Sequence, residues 1–280
     1  MTDGPTNERT PSLVRNEPGV LVIPIVNWAG LLALYVKEVR RFFKVQLQTI
    51  WAPALTTMLF LLIFTVALGS EGRTVMGYRF ADFIAPGLIV MAMLQNAFAN
   101  SSFSLLVGKV QGTVIDYLMP PLSLAELQAA LTMAAVTRAV LVGLAVWGAM
   151  VLWPDVSVAV RHPWAVIWFG LMGSILLAMM GLVTSIWAEK FDHAAAVTNF
   201  VIMPLSLLSG TFYSIESLHG AFRTFSHVNP FFYVISGFRY GFLGTSDSPI
   251  LIGAIGLLLL NILVGFVIYR LLASGWKLKA

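Results

Sequence analysis

Few side chains in this chain have the type and placement to do chemistry. Its long uncharged blocks contain one cation, Arg138, and one concentrated polar run, Gln95, Asn96, Asn100, Ser101, Ser102 and Ser104. A guanidinium at that depth snorkels, pairs with a neighbouring helix, or lines a path for an anionic ligand. Buried amides commonly bond between helices; the same run, with Asn199 further on, suits a dimer interface or the wall of a polar translocation path. The blocks hold no Asp, Glu or Lys. Proton-coupled carriers and intramembrane aspartyl proteases need such groups at depth, so both are disfavoured. His162, His193, His219 and His227 lack metal-ligand spacing, and the absence of cysteine excludes disulfides and thiol chemistry. There is no G-x-S-x-G elbow. No G-x-x-x-x-G-K-[ST] loop occurs either, so ATP that drives this chain must be hydrolysed by another one.

The elements that position these groups follow from composition. Of 280 residues, 58% are hydrophobic and 11% charged, against about 25% charged in an average soluble domain. A soluble globular fold is excluded. The apolar residues form six blocks, 45–70, 83–108, 127–154, 162–188, 193–215 and 248–269, each longer than the roughly 20 residues that cross a bilayer as a helix. In lipid the backbone must satisfy itself within the element, so these are helices; a barrel would show alternating segments of about ten residues. The expected fold is an all-α membrane protein with six transmembrane helices. A cytoplasmic amphipathic helix precedes them, and a re-entrant-like outer segment lies between spans five and six.

With both termini inside, inner segments carry eleven Lys and Arg against five outside, and all six lysines are inside. The net charge of +4 largely reflects this bias; no nucleic-acid footprint is present. Residues 1–27 form a polar tail, 28–46 the amphipathic helix, 47–273 the six-span domain and 274–280 a second tail. Within the first tail, residues 1–18 have the composition of a disordered segment. On a helical wheel Leu31, Leu32, Tyr35, Val36, Val39, Phe42 and Phe43 share one half, while Lys37, Glu38, Arg40, Arg41 and Lys44 share the other. That pattern is an interfacial helix. A seventh span over 19–36 is the alternative, opposed by Pro24 and Asn27.

Two connectors stand out. In 109–126, Gly112 breaks the helix, 115–118 gives one turn, Pro120 and Pro121 stop it, and Ser123 with Glu126 forms a capping box. A short helix held between two spans can pass motion from a partner, or be an ordinary connector. The segment 212–242 is rich in aromatics and is broken by Glu216, Arg223, Asn229-Pro230 and Arg239. Leu218, Phe222 and Phe225, and then Tyr233, Ile235 and Phe238, lie at helical spacing. Two short amphipathic helices dipping into the outer leaflet fit best, capping a pathway.

Leu208-Ser209-Gly210-Thr211-Phe212-Tyr213-Ser214-Ile215-Glu216, Asn229-Pro230-Phe231-Phe232-Tyr233 and Gly237-Phe238-Arg239-Tyr240-Gly241 resemble the signature region of ABC-2 type transporter permeases. Gly112-Thr113, Leu118 and Pro121 resemble that family's loop after span two, and Asp82-Phe83-Ile84-Ala85-Pro86-Gly87 the start of that span. The resemblance runs from about Leu31 to Leu272 and is nearest to the small YadH-like inner-membrane export permeases. One departure is Ile115, where the family often has an acidic residue; Asp116 follows it.

The resemblance implies a bacterial inner-membrane export permease, multi-pass, with both termini cytoplasmic. It would work as a homodimer docked on two copies of a separate ABC ATPase. This chain would bind no cofactor; ATP and Mg would sit on the partner. The substrate would be a lipid-linked glycan, polysaccharide, lipid or hydrophobic drug, and membrane lipid a further partner, with no nucleic acid. Glu38, Arg41, Gly112, Thr113, Asp116, Pro121, Phe191 and Asp192 would couple to the ATPase. Gln95, Asn96, Asn100, Arg138 and Asn199 would line the path or the dimer interface. Ser209, Gly210, Phe212, Tyr213, Asn229, Pro230 and Arg239 would form the outer gate. Alternatives from other classes are a membrane sensor or scaffold that binds an ATPase without transport, and an ATP-independent channel or carrier.

Overall fold

The computed structural model describes residues 26–69, 74–153, 156–213 and 226–277. The first 25 residues and the spacing of Leu218, Phe222 and Phe225 lie outside that set. Among the described residues, five helices are long and apolar enough to cross a membrane: Leu47–Ala67, Phe80–Val110, Leu124–Val151, Pro163–Trp187 and Ile250–Ser274. The chain is an all-α membrane protein. Its elements are α1 (Trp28–Phe43), α2 (Ala52–Gly69), a hairpin of β1 (Thr74–Val75) and β2 (Tyr78–Arg79), α3 (Phe80–Val110), α4 (Ile115–Leu118), α5 (Leu124–Val151) and α6 (Pro163–Trp187). Then come α7 (Phe191–Val197), α8 (Met203–Leu207), α9 (Pro230–Leu243) and α10 (Ile250–Ser274).

The fifth apolar block differs from the expected uninterrupted span. Helix starts at Phe191, widens into a π-turn over Thr198–Ile202, and ends at Leu207. Gly210, at φ +80°, then turns the chain. Pro204 is the physical reason: it lacks an N–H and crowds the preceding turn, and the wider turn ahead of it absorbs the misfit. The same device opens α2, where the π-turn Leu47–Trp51 precedes Pro53.

α3 is the hub. It is buried along nearly its whole length, and its 31 residues reach about 46 Å, half as long again as a hydrocarbon core of about 30 Å. It is therefore long enough to extend beyond the core. α6 packs closely on it through Gly181, where an added Cβ would sit 2.5 Å from the Phe98 carbonyl oxygen; small residues allow such backbone approach in membranes. α9 is buried on nearly every side, not amphipathic as its sequence suggested. Gly237 and Gly241 let it lie directly on Phe169 and Val166 of α6. α2 and α10 sit at the perimeter and expose Leu55, Ile63 and Val66, and Leu251, Ile252 and Ile262. Such faces suit lipid or a second apolar chain.

Candidate translocation groove and its two ends

A cavity of about 670 Å³ lies among α2, α3 and α8. Gln48, Thr56, Thr57 and Phe60 form one wall, Leu88, Met91, Gln95 and Asn96 a second, and Met203 and Leu207 a third. Thr56 and Thr57 donate their hydroxyls to the Ala52 and Pro53 carbonyls of their own helix, at 2.9 and 2.8 Å. The amides Gln48, Gln95 and Asn96 are thus the groove's main polar surface. Asn96 is fixed from both sides: its Nδ2 donates to the Ala92 carbonyl at 3.0 Å, and its Oδ1 accepts from Arg138 Nη2 at 2.8 Å. Arg138 therefore joins α5 to α3 directly behind the groove wall. Asn199 lies exposed on the π-turn, outside that wall. A second cavity of about 440 Å³ among α3, α5, α6 and α9 is lined almost entirely by apolar side chains.

Beyond the Gln95 and Asn96 end of the groove, α3 runs on to the 111–123 connector. Its local signals act as their residue types require: Gly112 takes φ +73°, α4 spans Ile115–Leu118, and Ser123 and Glu126 close a capping box. Glu126 also accepts from the Asn27 backbone at 2.5 Å, and Asn27 caps α1 through Gly30 N at 2.9 Å. Glu38 corrects the helical wheel. It belongs to the buried row Leu34, Glu38 and Phe42 and is fully buried. Its carboxylate accepts from Tyr117 at 3.1 Å and Ser104 at 3.0 Å, and pairs with Arg41 at 2.9 Å. Those partners meet the carboxylate's demand for donors, so its burial is tolerated. α1, α3 and α4 are thereby tied at one point.

Arg41 also donates to the Asn100 carbonyl and to Ser104, each at 3.0 Å. Lys37 lies over the Tyr117 ring, 3.8 Å from its centroid, a cation–π contact. Burial, followed by the nearby Glu38 charge, pushes the Tyr117 phenol well above its ordinary value. Gly112, Thr113, Asp116 and Pro121 face outward, as do Phe191 and Asp192. Lys109, in the last turn of α3, opens the connector. Its Nζ donates to the Ile186 and Ala188 carbonyls at 2.8 and 2.5 Å, satisfying the end of α6. Lys277 pairs with Glu189 at 2.8 Å, and this partner holds the Glu189 carboxyl below its usual range.

At the other end all seven residues expected at the outer gate come together. Arg239, 1% exposed, pairs with Asp247 at 2.9 Å and donates to the Gly210 carbonyl at 2.7 Å. Its guanidinium lies 3.9 Å from the Phe83 ring centroid. Asn229 caps α9 through Phe231 N at 3.0 Å and donates to the Leu205 carbonyl at 2.8 Å, with Pro230 at the first turn of α9. Ser209 bonds the Ser206 carbonyl, and Tyr213 that of Leu207 at 3.4 Å. The carbonyls left open where α8 stops are thus capped by Asn229 at the start of α9 and by Ser209 and Tyr213 in the turn after α8. This fixes Phe212 against Phe64 of α2, ring centroids 4.6 Å apart, across that end of the groove. Phe64 and Asp247 carried no sequence signal of these roles, since each partner is distant or lies in a loop.

Comparison with known proteins adds two findings. A family model described as ABC-2 type transporter matches residues 29–243. The "Inner membrane transport permease YadH" of Escherichia coli (strain K12) is 33% identical over 255 residues, covering 90% of this chain and 98% of that protein. The proteins of the same name in Escherichia coli O157:H7 and Shigella flexneri match to the same extent.

Proposed function

Because the chain belongs to the ABC-2 type transporter family, we propose that it is the permease subunit of an ABC exporter in a bacterial inner membrane. It moves an amphipathic substrate outward, using ATP hydrolysed on a separate ATPase subunit. The observation that carries this reading is the continuity from connector to groove. An exposed short helix, α4, is bonded through Tyr117 and Glu38 to the helix that forms the groove's amide wall.

In this reading the 111–123 connector end is cytoplasmic, as are both termini. The α7–α8 helix with the turn after it serves as a sixth, broken span. Two permease copies face each other across α2 and α8, and each groove forms half of the path. One ATPase subunit docks on each copy at Gly112, Thr113, Asp116 and Pro121, with Phe191 and Asp192 as a second contact. Glu38 and Arg41 act behind that surface by transmitting its motion. ATP and Mg are held by the ATPase. The Phe64–Phe212 pair closes the outer end.

Reconstitution tests this. The chain alone should hydrolyse no ATP, whereas the chain with its ATPase should show nucleotide-dependent accumulation of substrate in inverted vesicles. Flux with no partner present would make it a channel or carrier, and ATPase turnover with no flux a sensor.

A further inference from the structure

Asn96 and Asn100 stand one turn apart on α3, with side chains about 6 Å from each other. Each holds a guanidinium from another helix: Arg138 Nη2 lies 2.8 Å from Asn96 Oδ1, and Arg41 Nη2 lies 3.0 Å from the Asn100 carbonyl. Four buried nitrogens on these residues and their neighbour have no acceptor among the described residues: Arg41 Nη1, Arg138 Nε, Asn100 Nδ2 and Gln95 Nε2. All four are donors. The carboxylate that faces this cluster, Glu38, is already occupied by Arg41, Ser104 and Tyr117. Among the described residues Arg138 has no contact with that carboxylate and bonds only Asn96 Oδ1, so the surplus is positive charge and N–H groups.

We propose that this cluster is a binding site for the phosphate group of an amphiphile whose apolar part lies in the groove. Phosphate offers several charged acceptor oxygens in a tetrahedral array, and guanidinium forks match it well. Gln95 and Asn96 belong both to the cluster and to the groove wall, beside Leu88, Met91 and Phe60, so head and tail sites adjoin. The inference rests on the exporter reading and narrows its substrate to anionic, phosphate-bearing amphiphiles. It also gives Arg138 a function beyond joining two helices.

Equilibrium binding to the purified chain without any ATPase, read by native mass spectrometry, tests it. The probes are phosphatidic acid and the diacylglycerol with the same acyl chains. Phosphatidic acid should bind saturably and diacylglycerol should not. Arg138→Gln should weaken binding about tenfold or more, the loss expected for one charge-assisted bond of about 1.4 kcal/mol. Gln95→Met should weaken it while leaving the melting temperature unchanged or raised, because that amide nitrogen has no protein acceptor to lose. If Arg138→Gln does not fold, Gln95→Met decides alone.

Displacement of the lipid by millimolar inorganic phosphate would identify a free phosphate as ligand. Resistance to displacement would identify a lipid headgroup. Equal retention of diacylglycerol, or unchanged phosphatidic acid binding in monodisperse variants, would overturn the site. Binding without nucleotide-dependent flux would sink the exporter reading and leave the site standing; flux without binding would do the reverse.

Discussion

The two ends of the molecule are each fastened by a buried charge, and the charges are opposite. At the connector end a carboxylate, Glu38, gathers donors from three elements. At the far end a guanidinium, Arg239, gathers a carboxylate and the carbonyls of the turn after α8. The partners differ more than the sign. Arg239 and Asp247 are each 1% exposed, so neither has water to fall back on. Arg41 is 29% exposed and keeps the Asn100 carbonyl as a second acceptor. The Arg239 knot is therefore a fixed latch on a chain turn. The Glu38 knot can give way in part, which suits a joint between an exposed connector and a groove.

Breaking the latch should have the largest effect. Arg239→Met removes the cation of an ion pair whose side chains are each 1% exposed, and losing one partner of a buried pair costs about 3–5 kcal/mol. We expect little monodisperse protein by size-exclusion chromatography, with partial recovery when Asp247→Leu is added. Full stability of the single variant would refute the contrast between the ends. Glu38→Gln should cost less, about 1–2 kcal/mol in thermal unfolding, because the amide oxygen still accepts from Tyr117 or Ser104 and Arg41 keeps Asn100. Its larger consequence should be functional, with ATPase turnover and flux uncoupled in vesicles.

Tyr117→Phe removes one hydrogen bond, about 1 kcal/mol, and loosens α4 alone. Amide exchange should quicken in 113–119 and stay unchanged near Arg239. The raised Tyr117 pKa has a sign that can be checked. The folded chain keeps this proton above pH about 10, where an unfolded tyrosine loses it. Stability from this group is therefore complete below pH about 10 and falls as pH rises beyond it, a slope that Tyr117→Phe should flatten. Smallest of all, Glu189→Gln removes an exposed pair with Lys277. Its melting temperature should match that of the parent chain.

How much of this was readable in the sequence depends on how local each determinant is. The connector could be read residue by residue, because Gly112, Pro120, Pro121, Ser123 and Glu126 act on their own backbone. The apolar blocks gave five helices directly. Glu38 could not be placed by helical periodicity, since its partners Ser104 and Tyr117 are 66 and 79 residues away. A wheel sorts by residue type, and a carboxylate that will find three donors looks there like one that will face water. The residues expected at the gate came from the resemblance; their geometry, centred on Asp247 and Phe64, came only with the fold. The π-turns had the visible mark of a following proline, but a proline alone predicts a kink and not an extra residue.

Those two π-turns have a mechanical consequence. Each holds one residue more than α-helical pitch requires, just ahead of Pro53 in one groove wall and Pro204 in another. Tightening either to an α-turn would rotate everything beyond it by about 100° and shift it by about 1.5 Å. The side chains facing the groove would then be exchanged for their neighbours while the rest of the hydrogen-bond ladder stayed intact. Two walls of the groove thus carry a built-in gear tooth, and α3 between them supplies the fixed axle.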